Sequence, residues 1–304
     1  MGSAGSAARQ AGAPAQESSM TVAELMSKKT TLSFEVFPPK DGVPLDKIRE
    51  TIRRLAELGP DFFSCTFGAG GTARGRNAEV CDIVSSGGGL AVPHLVCIGS
   101  SRAGIREIAE GYRERKLANI LALRGDFPEG RESAPGDFAY ASELIAFLSA
   151  EFPGLCIGAA GYPETHLRAA SAQADIDCLR AKQDSGAAFV MTQLCYDAEA
   201  FERYLGRIRK AGVTIPVAAG IMPVLAYDPT IRMTISNGCS IPADLAALLG
   251  RRQSDPEGLA KAGAEYTAGL IRRFAAAGAN GLHVYSMNRW GKIAEILQGA
   301  GLAG

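Results

Sequence analysis

The sequence predicts an α/β protein built as a closed (β/α)8 barrel, with an extra helical segment between its seventh and eighth strands. Three observations carry that prediction. From residue 31 onward, short β-rich apolar runs alternate with amphipathic helical stretches to the end of the chain. The apolar runs are continuous rather than alternating, as expected of strands buried on both faces of a parallel sheet. They number eight, the count at which such a sheet closes on itself.

The first unit is TLSFEVF (31–37), followed by a helix near 44–58 in which Leu45, Ile48, Ile52 and Leu55 recur at helical spacing. The second is DFFSCTF (61–67) with a helix near 76–86, and the third LAVPHLVC (90–97) with a helix at about 102–115. ANILALRG (118–125) is the fourth strand, and YASELIAFLSAEF (140–152) its helix. LCIGAAGY (155–162) precedes a helix at about 169–185, and AFVMTQL (188–194) precedes AEAFERYLGRIRKAG (198–212). TIPVAAGI (214–221) is the seventh strand, and helical stretches near 242–250 and 256–277 separate it from the eighth, GLHVYSM (281–287). A short helix at 289–298 ends the pattern. A doubly wound open sheet would usually show a Gly-x-Gly-x-x-Gly turn after its first strand, whereas this strand runs into Glu-Val-Phe-Pro-Pro. The closed, TIM-type barrel is therefore the expectation.

The chain has 304 residues, 47% of them hydrophobic, enough for one large core. Barrels of this kind typically run to about 250 residues, so a single domain over 26–304 uses most of the chain. Residues 1–25 read as a leader without regular structure, since the first twenty are rich in Gly, Ala and Ser, and Met20 is a candidate start. Lys plus Arg and Asp plus Glu balance at 32 each with no basic run, which argues against a nucleic-acid partner. No stretch reaches the ~18 apolar residues of a membrane span, and the leader has no apolar signal-peptide core. A cytoplasmic protein is expected. Seven cysteines, at 65, 81, 97, 156, 178, 195 and 239, include no Cys-x-x-Cys pair. They read as small buried hydrophobes in a reducing compartment, with neither a disulfide scaffold nor a metal site expected.

Barrel enzymes build their sites at the C-terminal ends of the strands. Those ends offer Glu35, Thr66, His94, Arg124, Asp126, Tyr162, Glu164, His166, Gln193, Ser286, Asn288 and Arg289. Glu35 lies within an apolar strand just before a Pro-Pro stop. An interior carboxylate is costly unless it is paired or its pKa rises, and a raised pKa suits a general acid. Gln193 ends a strand among apolar residues and needs polar partners, which a ligand can supply. Asp126 could pair with Arg124 or cap a turn, His94 could be a satisfied core histidine, and His283 reads as core. GAGG at 68–71 is a weak phosphate-loop signal. No hydrolase Ser-His-Asp order and no strand-end Schiff-base Lys is present, which favours a pocket for a planar, polar-edged cofactor or substrate.

Nine segments carry a more specific signal. SFEVFPPK (33–40), TFGAGGTARGR (66–76), PHLVC (93–97), ALRGDFPEG (122–130), AGYPETH (160–166), AQAD (172–175), TQLCYD (192–197), GIMPV (220–224) and HVYSMNR (283–289) resemble the methylenetetrahydrofolate reductase family, in the family's order. The resemblance covers roughly residues 30–300 and leaves no room for the C-terminal regulatory domain of longer members. It implies FAD, NADH or NADPH as hydride donor, 5,10-methylene-tetrahydrofolate as substrate and a homo-oligomer. By that analogy Glu35 is the general acid that opens the folate's five-membered ring. Asp126 favours the resulting 5-iminium cation electrostatically, and Gln193 hydrogen-bonds the pterin edge and the nicotinamide carboxamide. The positions matching FAD contacts are Phe67, Ala69, His94, Arg124, Gly125, Asp126, Tyr140, Ala141, Tyr162, His166, Ala169, Asp175 and Lys182, with Arg124, His94 and Lys182 suited to the pyrophosphate. Thr66 matches a nicotinamide position and Arg289 a folate position. Some members carry Asn and Arg where this chain has Cys178 and Ala181, and Gln and Phe where it has Pro229 and Met233. Two further readings stay open: a flavin-poor relative that reduces folate directly or transfers a methyl group, motivated by Cys178, Ala181 and Met233, and a non-catalytic folate-binding protein, against which Glu35 and Asp126 argue.

Overall fold

Eight parallel strands close a barrel in chain order in a computed structural model that describes residues 20–67, 76–126 and 136–302. The strands are β1 (Thr31–Val36), β2 (Phe62–Cys65), β3 (Ala91–Val96), β4 (Asn119–Leu123), β5 (Cys156–Gly161), β6 (Ala187–Leu194), β7 (Val217–Ile221) and β8 (Gly281–Tyr285). The helices outside them are α1 (Val22–Lys28), α2 (Asp46–Ala56), α3 (Arg76–Ser86), α4 (Arg102–Glu114), α5 (Ala141–Glu151), α6 (Ala172–Asp184) and α7 (Ala198–Lys210). Between β7 and β8 stand α8 (Tyr227–Ser236), α9 (Ala243–Arg252) and α10 (Pro256–Ala276), and α11 (Trp290–Ala300) follows β8. The predicted barrel and its extra helical segment are both present.

Alternation along the strands separates two cores. On β1, Phe34 and Val36 join the large cluster between sheet and helices, with Ile52 and Leu55 of α2 and Ile293 and Leu297 of α11. The opposite parity faces the barrel axis. There Phe62, Val92, Leu121, Cys156, Phe189, Met191 and Ala218 form a second cluster that fills the lower interior. Each of the larger side chains among them, Phe62, Val92, Leu121, Phe189 and Met191, contributes roughly 1.5–3 kcal/mol when fully buried. Gly158 makes room for the Phe189 ring, since a Cβ there would come within 2.4 Å of it.

Two features depart from the sequence reading. Residues 22–25, assigned to the leader, belong to α1, so the ordered unit starts before residue 26. The cause is a capping box: the Thr21 hydroxyl accepts from the Glu24 N–H, and the Glu24 carboxylate accepts from the Thr21 N–H. Val22 and Met26 of this helix close the lower barrel mouth against the interior cluster, and the Val22 N–H donates to Asn119 Oδ1 at 2.9 Å. The second feature is α8, a helix after GIMPV additional to the two stretches read near 242–250 and 256–277. Pro229 sits in its first turn, where a missing N–H has no intrahelical partner to lose.

Candidate active site

Glu35 stands at the C-terminal end of β1, its side chain on the inward parity shared with Thr31 and Ser33. Register pairs Ser33 with His283 and Glu35 with Tyr285 across the β1–β8 seam. The result is a buried acid–imidazole group. Glu35 Oε2 lies 3.6 Å from His283 Nε2 and 3.8 Å from His94 Nε2, and the residue is 8% exposed. His283 is held from behind by Ser33 Oγ at 2.8 Å from Nδ1, with Ser64 Oγ 3.3 Å from Nε2. Burial lowers the His94 pKa to about 4 against the opposing pull of Glu35, so His94 is neutral near pH 7. His94 Nε2 is buried without a hydrogen-bond partner among the described residues.

The backbone around Glu35 is tied down by the segment after β8. Ser286 Oγ donates to the Glu35 carbonyl at 2.6 Å, and the Ser286 N–H does so at 3.2 Å. Asn288 Oδ1 accepts from the Phe37 N–H at 3.1 Å while its Nδ2 donates to the Phe37 carbonyl at 3.0 Å. Met287 and Asn288 both take positive φ, at 48° and 54°, which aims the Asn288 amide at β1.

Gln193 is placed by a bulge. Met191 pairs with Ala218 and Leu194 with Gly220, so β6 carries one more residue than β7 between those pairs. The ladder bond lost there is replaced by the Thr192 hydroxyl, which accepts from the Gly220 N–H at 2.9 Å. The freed Thr192 carbonyl accepts from the Tyr285 hydroxyl at 3.2 Å, and Gln193 Oε1 lies 3.4 Å from the same hydroxyl. Burial, then the nearby Glu35 charge, push the Tyr285 pKa well above its usual value, so the phenol stays protonated.

A second wall forms at the ends of β4 and β5. Tyr162 and His166 meet edge to face at 4.6 Å, Lys182 Nζ stands 5.6 Å over the Tyr162 ring, and the His166 N–H donates to Asp175 Oδ2 at 3.1 Å. Lys182 donates to the Ala160 carbonyl at 2.9 Å, and burial lowers its pKa against the attraction of Asp175. Burial likewise raises the Asp175 pKa, opposed by its hydrogen bond from His166. The charges of Arg124 and exposed Asp126 both act on Tyr162 and His166, which places them beside this wall. Gly125 between them has φ 86°, and a Cβ there would stand 2.3 Å from Val96 Cγ1.

The expected residues thus fall into groups. Glu35, His94 and Gln193 line the β1–β8 side, with His94 beside the acid rather than against Lys182. Arg124, Gly125, Asp126, Tyr162, His166, Asp175 and Lys182 form the other wall. Ala169 closes a turn on His166 through its N–H, at 2.8 Å. Tyr140, 61% exposed, and buried Ala141 begin α5, while Arg289 is exposed at the start of α11. Thr66 is half-buried and Phe67 is packed into the sheet–helix core. Ala69 and the GAGG stretch lie outside the described residues. Glu164 turns away to accept from the Ser240 N–H at 3.1 Å. Cys178 and Ala181 are exposed on α6, and five of the seven cysteines are buried as free thiols. Sequence reasoning missed His283, Tyr285 and Asn237, the last of which accepts from Gln193 Nε2 at 2.8 Å. The period-two parity of HVY with an inward Glu35 was the available signal for the first two.

Fold and site together define a (β/α)8-barrel enzyme type with a buried acid–imidazole centre facing an aromatic wall that carries Lys182. A family model described as methylenetetrahydrofolate reductase matches residues 21–301, and the chain belongs to that family. A 5,10-methylenetetrahydrofolate reductase of Pectobacterium carotovorum subsp. carotovorum is 33% identical over 270 residues, covering 88% of this chain and 89% of the relative. The protein of that name from Escherichia coli (strain K12) is 33% identical over 259 residues, covering 85% and 86%. Among solved structures, an uncharacterized protein from Clostridium thermocellum that binds two copies of 5-methyl-5,6,7,8-tetrahydrofolic acid superposes with a TM-score of 0.64. It is 14% identical, over 91% of this chain and 96% of that one, and so supports the fold alone.

Proposed function

We propose that this chain reduces 5,10-methylene-tetrahydrofolate to 5-methyl-tetrahydrofolate with NADH or NADPH as electron source and FAD as hydride carrier. The observation that carries the reading is Glu35, a buried carboxyl held between two imidazoles at the catalytic end of a barrel of this family. The residues present fit a flavin dinucleotide. Lys182 is a cation whose charge is disfavoured by burial, so an anionic pyrophosphate beside it would restore what burial removes. Arg124 would share that phosphate, Asp175 would accept from a hydroxyl, and Tyr162 with His166 offers ring surface. FAD, when bound, would supply two-electron hydride chemistry between the nicotinamide and the folate.

The protein's own part is acid–base and positional. Glu35 as the carboxylic acid donates its proton to the ring amine of the substrate, the C–N bond breaks, and the 5-iminium cation remains. His283, anchored by Ser33, lines the inner side of the carboxyl at 3.6 Å. Asp126 brings a negative charge that favours the cation. Gln193 hydrogen-bonds the edge of the pterin, and the carboxamide of the nicotinamide when that ligand is bound. Buried free thiols suit a reducing cytoplasm.

The test is Glu35→Gln. Reduction of the flavin band by NADH should survive, while its return with methylene-tetrahydrofolate slows by roughly 10²–10⁴-fold, the usual worth of a general acid. Equal loss in both half-reactions would remove Glu35 from that role. A purified protein that lacks the band, even after added FAD, yet turns over folate would favour the flavin-poor reading raised by Cys178 and Ala181.

A further inference from the structure

We infer that Asn237 is a positioning residue that fixes the side-chain amide of Gln193, so that Gln193 presents an N–H donor, and not its carbonyl, to the folate edge. The inference rests on Gln193 touching the folate, as proposed above.

Two backbone groups of fixed polarity orient the pair of amides. The Met233 carbonyl can only accept, and Asn237 Nδ2 lies 2.8 Å from it. Asn237 must therefore turn Oδ1 the other way, where Gln193 Nε2 meets it at 2.8 Å. At the far end the Leu194 N–H can only donate, and it lies 2.9 Å from Gln193 Oε1. Both amides are thus oriented by their neighbours, and flipping either one sets like against like at both of its contacts. Oε1 is engaged by Leu194 and faces the Tyr285 hydroxyl, so the group left to a ligand is the second hydrogen on Nε2.

Asn237 can serve as an anchor because the α8–α9 junction is itself pinned. The Asn237 N–H donates to the Met233 carbonyl at 3.2 Å as α8 ends, and the Cys239 N–H donates to the Thr234 carbonyl at 3.0 Å. Cys239 Sγ donates to the Leu194 carbonyl at 3.1 Å, tying the junction to the strand that carries Gln193. The Ser240 hydroxyl and N–H both donate to Glu164 Oε1, tying it to the loop after β5. Between them Gly238 takes φ 66°, and Leu167 packs where its Cβ would be, at 2.2 Å. Anchored on both sides, Oδ1 holds Gln193 before any ligand arrives, which lowers the ordering cost at binding.

The experiment measures the affinity of the full-length protein for 5-methyl-tetrahydrofolate by calorimetry, with the unfolding midpoint recorded for each variant. Asn237→Ala should weaken binding roughly three- to tenfold, the worth of one oriented hydrogen bond. In a Gln193→Ala background the same change should do nothing further, because the residue acts only through Gln193. Asn237→Asp keeps an acceptor for Nε2 but sets a carboxylate against the Met233 carbonyl. It should lower the unfolding midpoint while keeping affinity close to the parent's. Additive losses in the double variant, or Asn237→Asp binding as weakly as Asn237→Ala, would overturn the inference. Unchanged affinity in Gln193→Ala would overturn it together with the contact on which it rests. Weakening by Gln193→Ala without weakening by Asn237→Ala would overturn the positioning role alone.

Discussion

The buried neutral imidazole of His94 makes the stability of the barrel acid-sensitive in a defined window. An exposed histidine titrates near 6.5, whereas burial lowers His94 to about 4. The unfolded chain therefore binds a proton between those values that the folded chain refuses. Stability is unaffected above the unfolded pKa and is lost as pH falls from 6.5 toward 4. The full difference, at 1.36 kcal/mol per unit, is about 3 kcal/mol, and roughly 2 kcal/mol is already lost at about pH 5. Urea unfolding of the parent and of His94→Gln, at about pH 7 and about pH 5, reads the difference directly. The parent should lose roughly 2 kcal/mol more than the variant, at unchanged m-value. Glu35 is the cause that pulls His94 upward, so Glu35→Gln should steepen the acid loss. Parallel pH profiles for parent and His94→Gln would show that another group carries the acid sensitivity.

Two further outcomes test the frame around the site. Gly125→Ala forces a side chain into φ 86° and against Val96, and should destabilise by about 1–3 kcal/mol; because Arg124 and Asp126, proposed above to border the flavin, flank it, purified variant should on that proposal also hold less flavin, read from its visible absorbance. Met26→Ala opens a cavity in the lower plug and should destabilise by about 2–5 kcal/mol, measured by urea unfolding, while turnover of the folded protein at low temperature stays near the parent's, since the plug lies at the barrel end opposite the site.

The barrel was legible because its strands are buried on both faces, and that leaves long apolar runs in the sequence. A boundary also followed where chemistry marked it: Asp197 caps α7 through its side chain just before the expected stretch at 198–212, whereas the helix expected from about 169 starts only after the Ser171 cap. Glu35, Asp126 and Gln193 could be picked out because each is a polar group at a strand end. Two helices were lost for local reasons. The Thr21-x-x-Glu24 box was submerged in a leader judged by its composition, and the α8 segment, with Pro229 in its first turn, was not read as a helix. The partners of the site were harder to find, because they are set by register. Asn237 and Gln193 are 44 residues apart, and no local pattern announces that an unremarkable helix end will meet a strand bulge. The same bulge consumes the simple alternation from which the direction of Gln193 would otherwise be read.

His283 shows why strand parity matters more here than residue type. Taken alone, a histidine in LHVY is a core residue, and by burial it is one, at 1% exposure. But β8 sends His283 and Tyr285 to the axis while Leu282 and Val284 pack outward, just as β1 sends Ser33 and Glu35 inward and Phe34 and Val36 outward. The two polar parities share one seam, so the barrel interior changes character along its axis. Met26, Phe62 and Phe189 fill the lower half with apolar side chains, and the serines, imidazoles and carboxyl begin where that plug stops. A carboxyl on this boundary has low-dielectric protein beneath it and polar partners at its own level. That environment keeps bulk water from the inner side of Glu35, which suits the proton transfer proposed for it toward a substrate entering from above. The plug that α1 completes is in this sense part of the acid's surroundings, although no atom of α1 belongs to the site.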